Sequence, residues 1–551
     1  MDRQDTLATG TARATGGILL TLASAQFLMT LDSSVMNVSM ATVAQDLGTS
    51  ITGIQTAITL YTLVMATLMI TGGKIGSNIG RLRAFSIGCV VYGAGSFVTG
   101  IAQNLTVLII GWSFLEGMGA ALIMPAIVAL VATNFEVAGR PRAYGLVAAA
   151  GACAVAVGPL IGGAATTYAS WRLVFFGEVV IVALILLMSR KIGDAPVVEK
   201  ASLDLVGTLL SVVGLGMAVY GVLRTSEWGF VRPKPDAPAL LNLSASFWLI
   251  LAGLIVVWVF FRWEAHVLRA GRDPLVRPSM FANTQLDGGL VMFSFQFLLQ
   301  AGVFFVVPLF LSVALGVSAI ETGLRVMPLS VGLLAAAMGV PKLLPDVSPR
   351  RVVRVGILLM LAGIVILMSA IDANADATVV SWPMLVIGLG MGCLASQLGS
   401  VTASSVPTEE SSDVGGLQNT ATNLGASLGT ALAGSVMIAA LTSSLISGLE
   451  ANPDVPDNVA SQASVDLASG VPFLSDKQVE SAMADRGASG QATQIAVDEN
   501  AAARIDGLDA ALGVLAMIAL VSLFFSGRIP DVQPGSSRGS AAPETTEASE
   551  V

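Results

Sequence analysis

The chain has 551 residues, 54% of them hydrophobic and 12% charged, with a mean hydropathy of +0.79 and a formal net charge of −9. Soluble domains carry about 25% charged residues, so this composition excludes a water-soluble globular protein and points to a large helical bundle in lipid. The negative charge offers no surface for nucleic acid, because most of the excess acid lies in two weakly apolar stretches near the C-terminal end.

Apolar runs of about 20 residues predict spans over 17–39, 52–72, 84–101, 106–131, 144–167, 173–190, 204–223 and 244–262. Six more are predicted over 287–313, 322–342, 352–371, 380–402, 414–442 and 508–526, giving fourteen. The N-terminus offers only Arg3 and Arg13 before a full-length run, without a short apolar core and small-residue cleavage site, so the first span is expected to be retained. Basic residues fall in every second loop. Lys74, Arg81 and Arg83 follow span 2, Arg140 and Arg142 follow span 4, and Arg190, Lys191 and Lys200 follow span 6. Arg262, Arg269, Arg272 and Arg277, then Lys342, Arg350, Arg351 and Arg354, continue the alternation. Cytoplasmic loops retain Lys and Arg, so both termini are expected to be cytoplasmic. Arg224, Arg232 and Lys234 after span 7 are the exception.

Asp32, inside the first span, is the most informative residue. A charge in hydrocarbon costs roughly 3 kcal/mol or more, so such a carboxylate marks a cation or proton site by default. Glu116 lies about ten residues into span 4, about 15 Å along a helix and near the bilayer midplane. Two carboxylates sharing a low-dielectric cavity do not both ionise cheaply, so a proton or a cationic substrate is expected to neutralise the pair. In span 5, Gly151, Gly158, Gly162 and Gly163 permit close helix approach, while Pro159 removes a backbone hydrogen bond and bends the span. The segments Gly73–Arg83 and Pro341–Arg351 align without a gap as basic turns. Such a repeat at corresponding places of two halves is expected of a transporter built from two six-helix units.

These motifs resemble those of the major facilitator superfamily, specifically its fourteen-span drug/proton antiporter branch, over nearly the whole chain. Leu31-Asp32 through Asn37-Val38 is similar to that branch's first-helix motif, Gly73 through Arg83 to the superfamily's loop 2-3 motif, and Gly158 through Gly163, with Gly151 upstream, to its antiporter motif. Trp171-Arg172, Asp273-Pro274-Leu275-Val276 and Gly388-Leu389-Gly390-Met391-Gly392 are similar to further family landmarks. The chain departs from the pattern in places. Ser77 stands where the family usually has Asp, which weakens the usual charge relay. Ser113 replaces the Arg implicated in proton coupling, and Glu116 replaces a Gln.

Other charges have plainer readings. Glu178 in span 6 stands where the family has Asn and is expected to pair with Arg172. Arg325 pairs with Glu321 one helical turn earlier or snorkels, and Asp287 caps the N-terminus of span 9. Met36, Phe114, Met118 and Met124 read as core or lipid-facing packing, with adaptable substrate contact as the alternative. Cys89, Cys153 and Cys393 all fall in spans, without paired spacing, and read as buried small residues. His266 stands alone. No metal-ligand cluster, nucleophile with a placed base or phosphate loop is legible, so neither an enzyme nor a cofactor is expected.

The expected fold is an all-α polytopic membrane protein of two six-helix bundles plus two inserted helices. It divides into a cytoplasmic tail over 1–16, an N-terminal half over 17–190, inserted spans over 191–262 and a cytoplasmic linker over 263–286. A C-terminal half over 287–526 includes an acidic extracellular loop over 443–507, and 527–551 reads as a disordered tail. The resemblance implies a transporter that works by alternating access, as a monomer in the bacterial inner (plasma) membrane, exporting small hydrophobic, cationic compounds in exchange for protons. Asp32 and Glu116 would bind proton or substrate. Gly158 and Pro159 would support the conformational change, and Gly73, Gly80, Arg81 and Arg83 would shape the cytoplasmic hinge. Two alternatives stay open: a lipid or metabolite exporter or facilitator with weak or no proton coupling, and a receptor or assembly factor that uses the 443–507 loop.

Overall fold

The computed structural model describes residues 2–49, 51–194, 204–234, 237–372, 375–407, 410–452, 455, 474–485 and 490–533. Fourteen helices among them are long and apolar enough to cross a membrane. In chain order they are α1 Asp2–Asp46, α2 Ile51–Ile79, α3 Arg81–Gly100, α4 Leu105–Asn134, α5 Arg140–Tyr168, α6 Arg172–Ser189 and α7 Leu205–Leu223. The rest are α8 Ala245–Arg269, α9 Thr284–Ala314, α10 Ala319–Leu343, α11 Pro349–Ala370, α12 Ala377–Ala403, α13 Ser411–Ala451 and α14 Gly490–Phe525. Each contains one predicted span or most of it. Between α7 and α8 lies a pair of two-residue antiparallel strands, Ala239–Leu240 and Leu243–Ser244.

The predicted loops differ from the structure where polar residues continue a helix. Gly73 to Ile79 is the last two turns of α2 and not a loop. Only Gly80, at φ 101°, turns the chain into α3, a backbone region where a residue with a Cβ is strained. In the other half Pro341–Leu343 likewise ends α10. The acidic stretch over 443–507 is in large part helical. α13 continues to Ala451, α14 starts at Gly490, and a short helix, Asp476–Asp485, is tied back by Arg504, which donates to Asp476 at 2.5 Å and to the Leu474 carbonyl at 2.9 Å. Residues 453–454, 456–473 and 486–489 of that stretch lie outside the described residues. Of the tail, Ile529 to Gln533 is docked: Arg350 donates to the Ile529 carbonyl (2.7 Å) and pairs with Asp531, while Gln533 donates to the Val347 carbonyl (2.8 Å). Residues 534–551 lie outside the described residues.

Apolar side chains gather in separate clusters. The largest is dominated by α9–α14 and includes Phe310, Leu329, Ile357, Met391 and Leu512. Two others lie in the first six helices, around Leu28, Phe85, Tyr92 and Leu130, and around Met36, Tyr61, Trp112 and Phe175. Small residues set how closely these helices pack. A Cβ added at Gly388 on α12 would lie 2.0 Å from the Leu329 carbonyl oxygen of α10, which only a glycine allows.

At the end of the α2–α3 turn the first six helices meet the last six closely. There the backbones of Gly145 and Ala337 approach, Tyr144 packs on Gly399, and Gly415 and Gly416 lie against Pro125 and Met69. The same end holds a charged lock. Lys74, 5% exposed, pairs with Asp273 of the segment before α9 at 2.7 Å and with Asp413 of α13 at 3.9 Å. Ser77 donates to Asp413 at 2.7 Å. The Ser that stands where the resemblance expects Asp therefore does not leave the relay slack: its hydroxyl holds an acid supplied by the other half.

Candidate functional site

The site is built where α4 changes its winding. From Ile109 to Glu116 this helix is a π-helix, a rare state that is frequent at functional sites. Its wider turn carries Trp112, Ser113 and Glu116, all buried. Trp112 Nε1 donates to both carboxylate oxygens of Asp32, at 2.8 and 2.9 Å. Tyr61 of α2 stacks on the indole with ring centroids 4.9 Å apart and planes 2° from parallel. Ser113 donates to the Ala57 carbonyl at 2.8 Å, tying α4 to α2 where the resemblance would place an arginine.

Glu116 accepts from Thr99 of α3 at 3.1 Å through one oxygen, and the other is buried with no hydrogen-bond partner. Room for it is made by Gly95, where a Cβ would stand 2.6 Å from Glu116 Cγ. Glu178 of α6 is the residue that sequence reasoning misplaced. It does not meet Arg172, which instead pairs with Asp46 and donates to the Ala102 carbonyl at 2.7 Å. Glu178 turns inward, accepts from Ser96 at 3.1 Å through one oxygen and leaves the other unpartnered. One carboxylate oxygen each from Asp32, Glu116 and Glu178 lie within 4.8 Å of one another. The three are 0%, 0% and 1% exposed.

This constellation enlarges the expected pair. Asp32 and Glu116 are joined by Glu178, and the three are buried between α1, α3, α4 and α6. It also supplies a cluster of ligand-type side chains that the sequence hid by spreading it over residues 32, 116 and 178. One signal was available: the first six spans carry three mid-span acids and no mid-span base. At an effective dielectric constant of 20, two unit charges 4.8 Å apart repel by about 3.5 kcal/mol, so three unpaired carboxylates here require compensating positive charge.

The remaining residues singled out by sequence fall into place around this core. α5 packs on α1 through the glycine motif. A Cβ at Gly158 would meet Ser34 Oγ at 2.2 Å, one at Gly162 would meet Val35 at 3.1 Å and one at Gly151 would meet Gln26 at 3.3 Å. Gly163 faces open space, and the Pro159 side chain lies outside the described residues. Ser34 also donates to the Val155 carbonyl at 3.2 Å, one residue pair from Asp32. Arg325 pairs with Glu321 at 3.2 Å. Asp287 is not the cap of α9: Asn283 accepts from Gln285 and Leu286, and Asp287 pairs with Arg528 at 2.7 Å. Arg81 is buried at the start of α3 and Arg83 is exposed. Phe114 and Met118 point outward, 46% and 43% exposed, whereas Met36 is buried in the α1–α4 core.

A family model described as "Major Facilitator Superfamily" matches residues 22–430. The chain belongs to that superfamily. It is therefore a multi-pass membrane transporter and not an enzyme. Among similar proteins is the puromycin resistance protein pur8 of Streptomyces alboniger, 30% identical over 76% of this chain and 81% of the relative. The probable actinorhodin transporter of Streptomyces coelicolor is 29% identical over 82% and 76%. Among solved structures, the human organic anion transporter MFSD10 (TETRAN) superposes with a TM-score of 0.55 at 12% identity, covering 94% of this chain and 98% of that one. At that identity the likeness speaks for the shared facilitator fold alone.

Proposed function

We propose that this facilitator exports hydrophobic, cationic drug-like compounds in exchange for protons. It does so by alternating access between its two six-helix halves, as a monomer in the bacterial inner membrane with both termini cytoplasmic. A relative named for puromycin resistance supports the efflux direction. The observation that carries the coupling is the sealed group of Asp32, Glu116 and Glu178. Such a group cannot hold three negative charges in the absence of compensation, so protons taken up from one side and released to the other provide the exchange. Asp32, held by Trp112, and Glu116, with one free oxygen, are the proton carriers. The Gly158 contact transmits movement of α5 to the helix that bears Asp32. With the α2–α3 end on the cytoplasmic side, the lock around Lys74 corresponds to a conformation closed to the cytoplasm.

The test is proton release from reconstituted vesicles on addition of a panel of lipophilic cations, comparing the native protein with Asp32→Asn and Glu116→Gln. Release lost in both variants supports the pair as the coupling carboxylates. Substrate movement with no accompanying proton flux in the native protein would make it a facilitator and would end the antiport reading.

A further inference from the structure

The triad has the chemistry of a metal site as well as of a proton site. Its donors are all oxygens, the ligands that hard cations select. Around a calcium ion, with bonds of about 2.3–2.6 Å, opposite ligands stand about 4.6–5.2 Å apart. The three carboxylate oxygens, each within 4.8 Å of the others, already stand about as close together as the ligands of such an ion. Magnesium, with bonds of about 2.0–2.1 Å and a demand for octahedral order, asks for a tighter set.

A second observation, apart from the acids, points into the same compartment. The hydroxyls of Tyr61 and Tyr92, on α2 and α3, are fully buried, make no hydrogen bond of ordinary geometry and lie close enough to Asp32 to interact with it. Together with Glu116 Oε2 and Glu178 Oε1, that makes four buried oxygens of the acid group and its tyrosines that lack an ordinary hydrogen bond, where buried polar atoms usually find one. The interior is too closed for an organic compound, with Trp112 at 1% and Tyr92 at 0% exposed, so the ligand that suits it is a single ion.

We infer that Asp32, Glu116 and Glu178, with the phenols of Tyr61 and Tyr92, form an occluded binding site for a hard divalent cation of calcium's size, in competition with protons. The inference rests on the reading of Asp32 and Glu116 as the ion-coupling residues and adds the identity of a second ion. Two positive charges offset two of the three carboxylates, and the third keeps a proton. Because the carboxylates that carry the charge must be deprotonated to bind a metal, the cation displaces the protons of two acids while the third acid and the phenols offer neutral oxygens, so divalent ions would act as inhibitors or alternative coupling ions.

The site carries its own reporter. Trp112 is bonded to a ligand residue, so its excited state can sensitise Tb3+ held by the triad. Full-length protein in lipid nanodiscs is titrated with Tb3+, the indole-sensitised emission is recorded, and Ca2+ is added as competitor. Saturable emission that Ca2+ displaces is expected, with affinity at least about tenfold lower in Glu178→Gln and Asp32→Asn, as befits loss of a ligand where even an outer partner costs 10–100-fold. Glu178→Asp keeps the charge and should bind with intermediate affinity, which separates ligation from misfolding. Absence of saturable emission, or equal emission in all variants, meaning an adventitious ion only at surface acids, would overturn the inference. Substrate-driven proton release measured alongside keeps the two readings apart. Proton release without Tb3+ binding leaves antiport standing and removes the metal site, while the reverse keeps the metal site and removes antiport.

Discussion

Replacing Gly158 by Ala tests whether the packing of α5 on α1 positions the acid site. The new methyl would lie 2.2 Å from Ser34 Oγ and 2.4 Å from Ser34 Cβ. Rotating the hydroxyl away clears the first clash but not the second, because Cβ is fixed to the backbone. An ordinary contact needs at least 3.4 Å, so the two helices must separate by about 1 Å, and overpacking of this kind costs about 1–3 kcal/mol. Ser34 lies two residues from Asp32, so the displacement should reach the Trp112 hydrogen bonds as well as stability. Gly158→Ala is therefore expected to lower thermal stability in detergent and substrate-driven proton release together. The second change Ser34→Gly removes both clashing atoms and should restore much of each, giving a double-mutant interaction energy well above the ~0.5 kcal/mol of independent sites. A Gly158→Ala protein with native stability and flux, or no recovery in the pair, would refute this packing argument.

The charged lock makes a graded prediction. Lys74→Met leaves the buried Asp413 without its cation and Asp273 with only Arg277, 3.7 Å away, and breaking a buried pair costs about 3–5 kcal/mol. The closed end should open, read as a longer spin-label distance between the ends of α2 and α13, whereas Asp413→Asn keeps a partner for Ser77 and should shift it less. At the opposite end of α1, hydrogen bonding from Trp171, and then pairing with Arg172, hold the Asp46 carboxyl below the usual carboxylate range. Its folded value is the lower one, so its stabilising effect is complete above about pH 4 and shrinks as pH falls through the folded value. As an exposed pair it is worth at most about 1 kcal/mol. The melting-temperature gap between native protein and Asp46→Asn should close on acidification below about pH 4, and a gap that widens there would contradict the assignment.

The fourteen spans were legible because lipid imposes one simple pattern, a run of about 20 apolar residues per crossing. Their ends were less so. α2 runs to Ile79 through Gly73, Lys74 and Ser77, polar residues that look like a loop until Asp273 and Asp413 are seen to neutralise them. α13 and α14 likewise extend past the apolar limit into acidic sequence, where Asn452–Glu499 and Ser444–Asp506 bonds hold the two helices together. Within the site, Asp32 and Glu116 are visible as expensive charges, yet Glu178, on a helix that the resemblance makes peripheral, reads as a structural partner of Arg172. Six residues on one helix place the two about 9 Å apart along the axis, too far for a direct pair, and that geometric check was available from the sequence. The π-helix at Ile109–Glu116 left no such trace. Its sequence, Ile-Ile-Gly-Trp-Ser-Phe-Leu-Glu, reads as ordinary helix, and the wider turn follows from how Trp112 and Glu116 are drawn toward α1 and α3.

The acid triad and the closed end are separate assemblies, so any exchange needs an element that belongs to both. α4 is that element. Its π segment holds Trp112 and Glu116 and, through Ser113, grips the Ala57 carbonyl of α2. Two to three turns later its Pro125 meets Gly415 of α13, beside the residue pair Asp413–Lys74. α2 makes the same journey, from Tyr61 stacked on Trp112 to Lys74 in the lock. Neutralising or charging the triad changes how strongly Asp32 and Glu116 draw on α4, and the π turn is the place where the helix can change its winding without breaking. A one-residue change in winding there would rotate the lower part of α4 against α13. Coupling then requires no long charge relay through the bundle. It needs only two winding states of one helix, one favoured by a filled ion site and the other by an empty one.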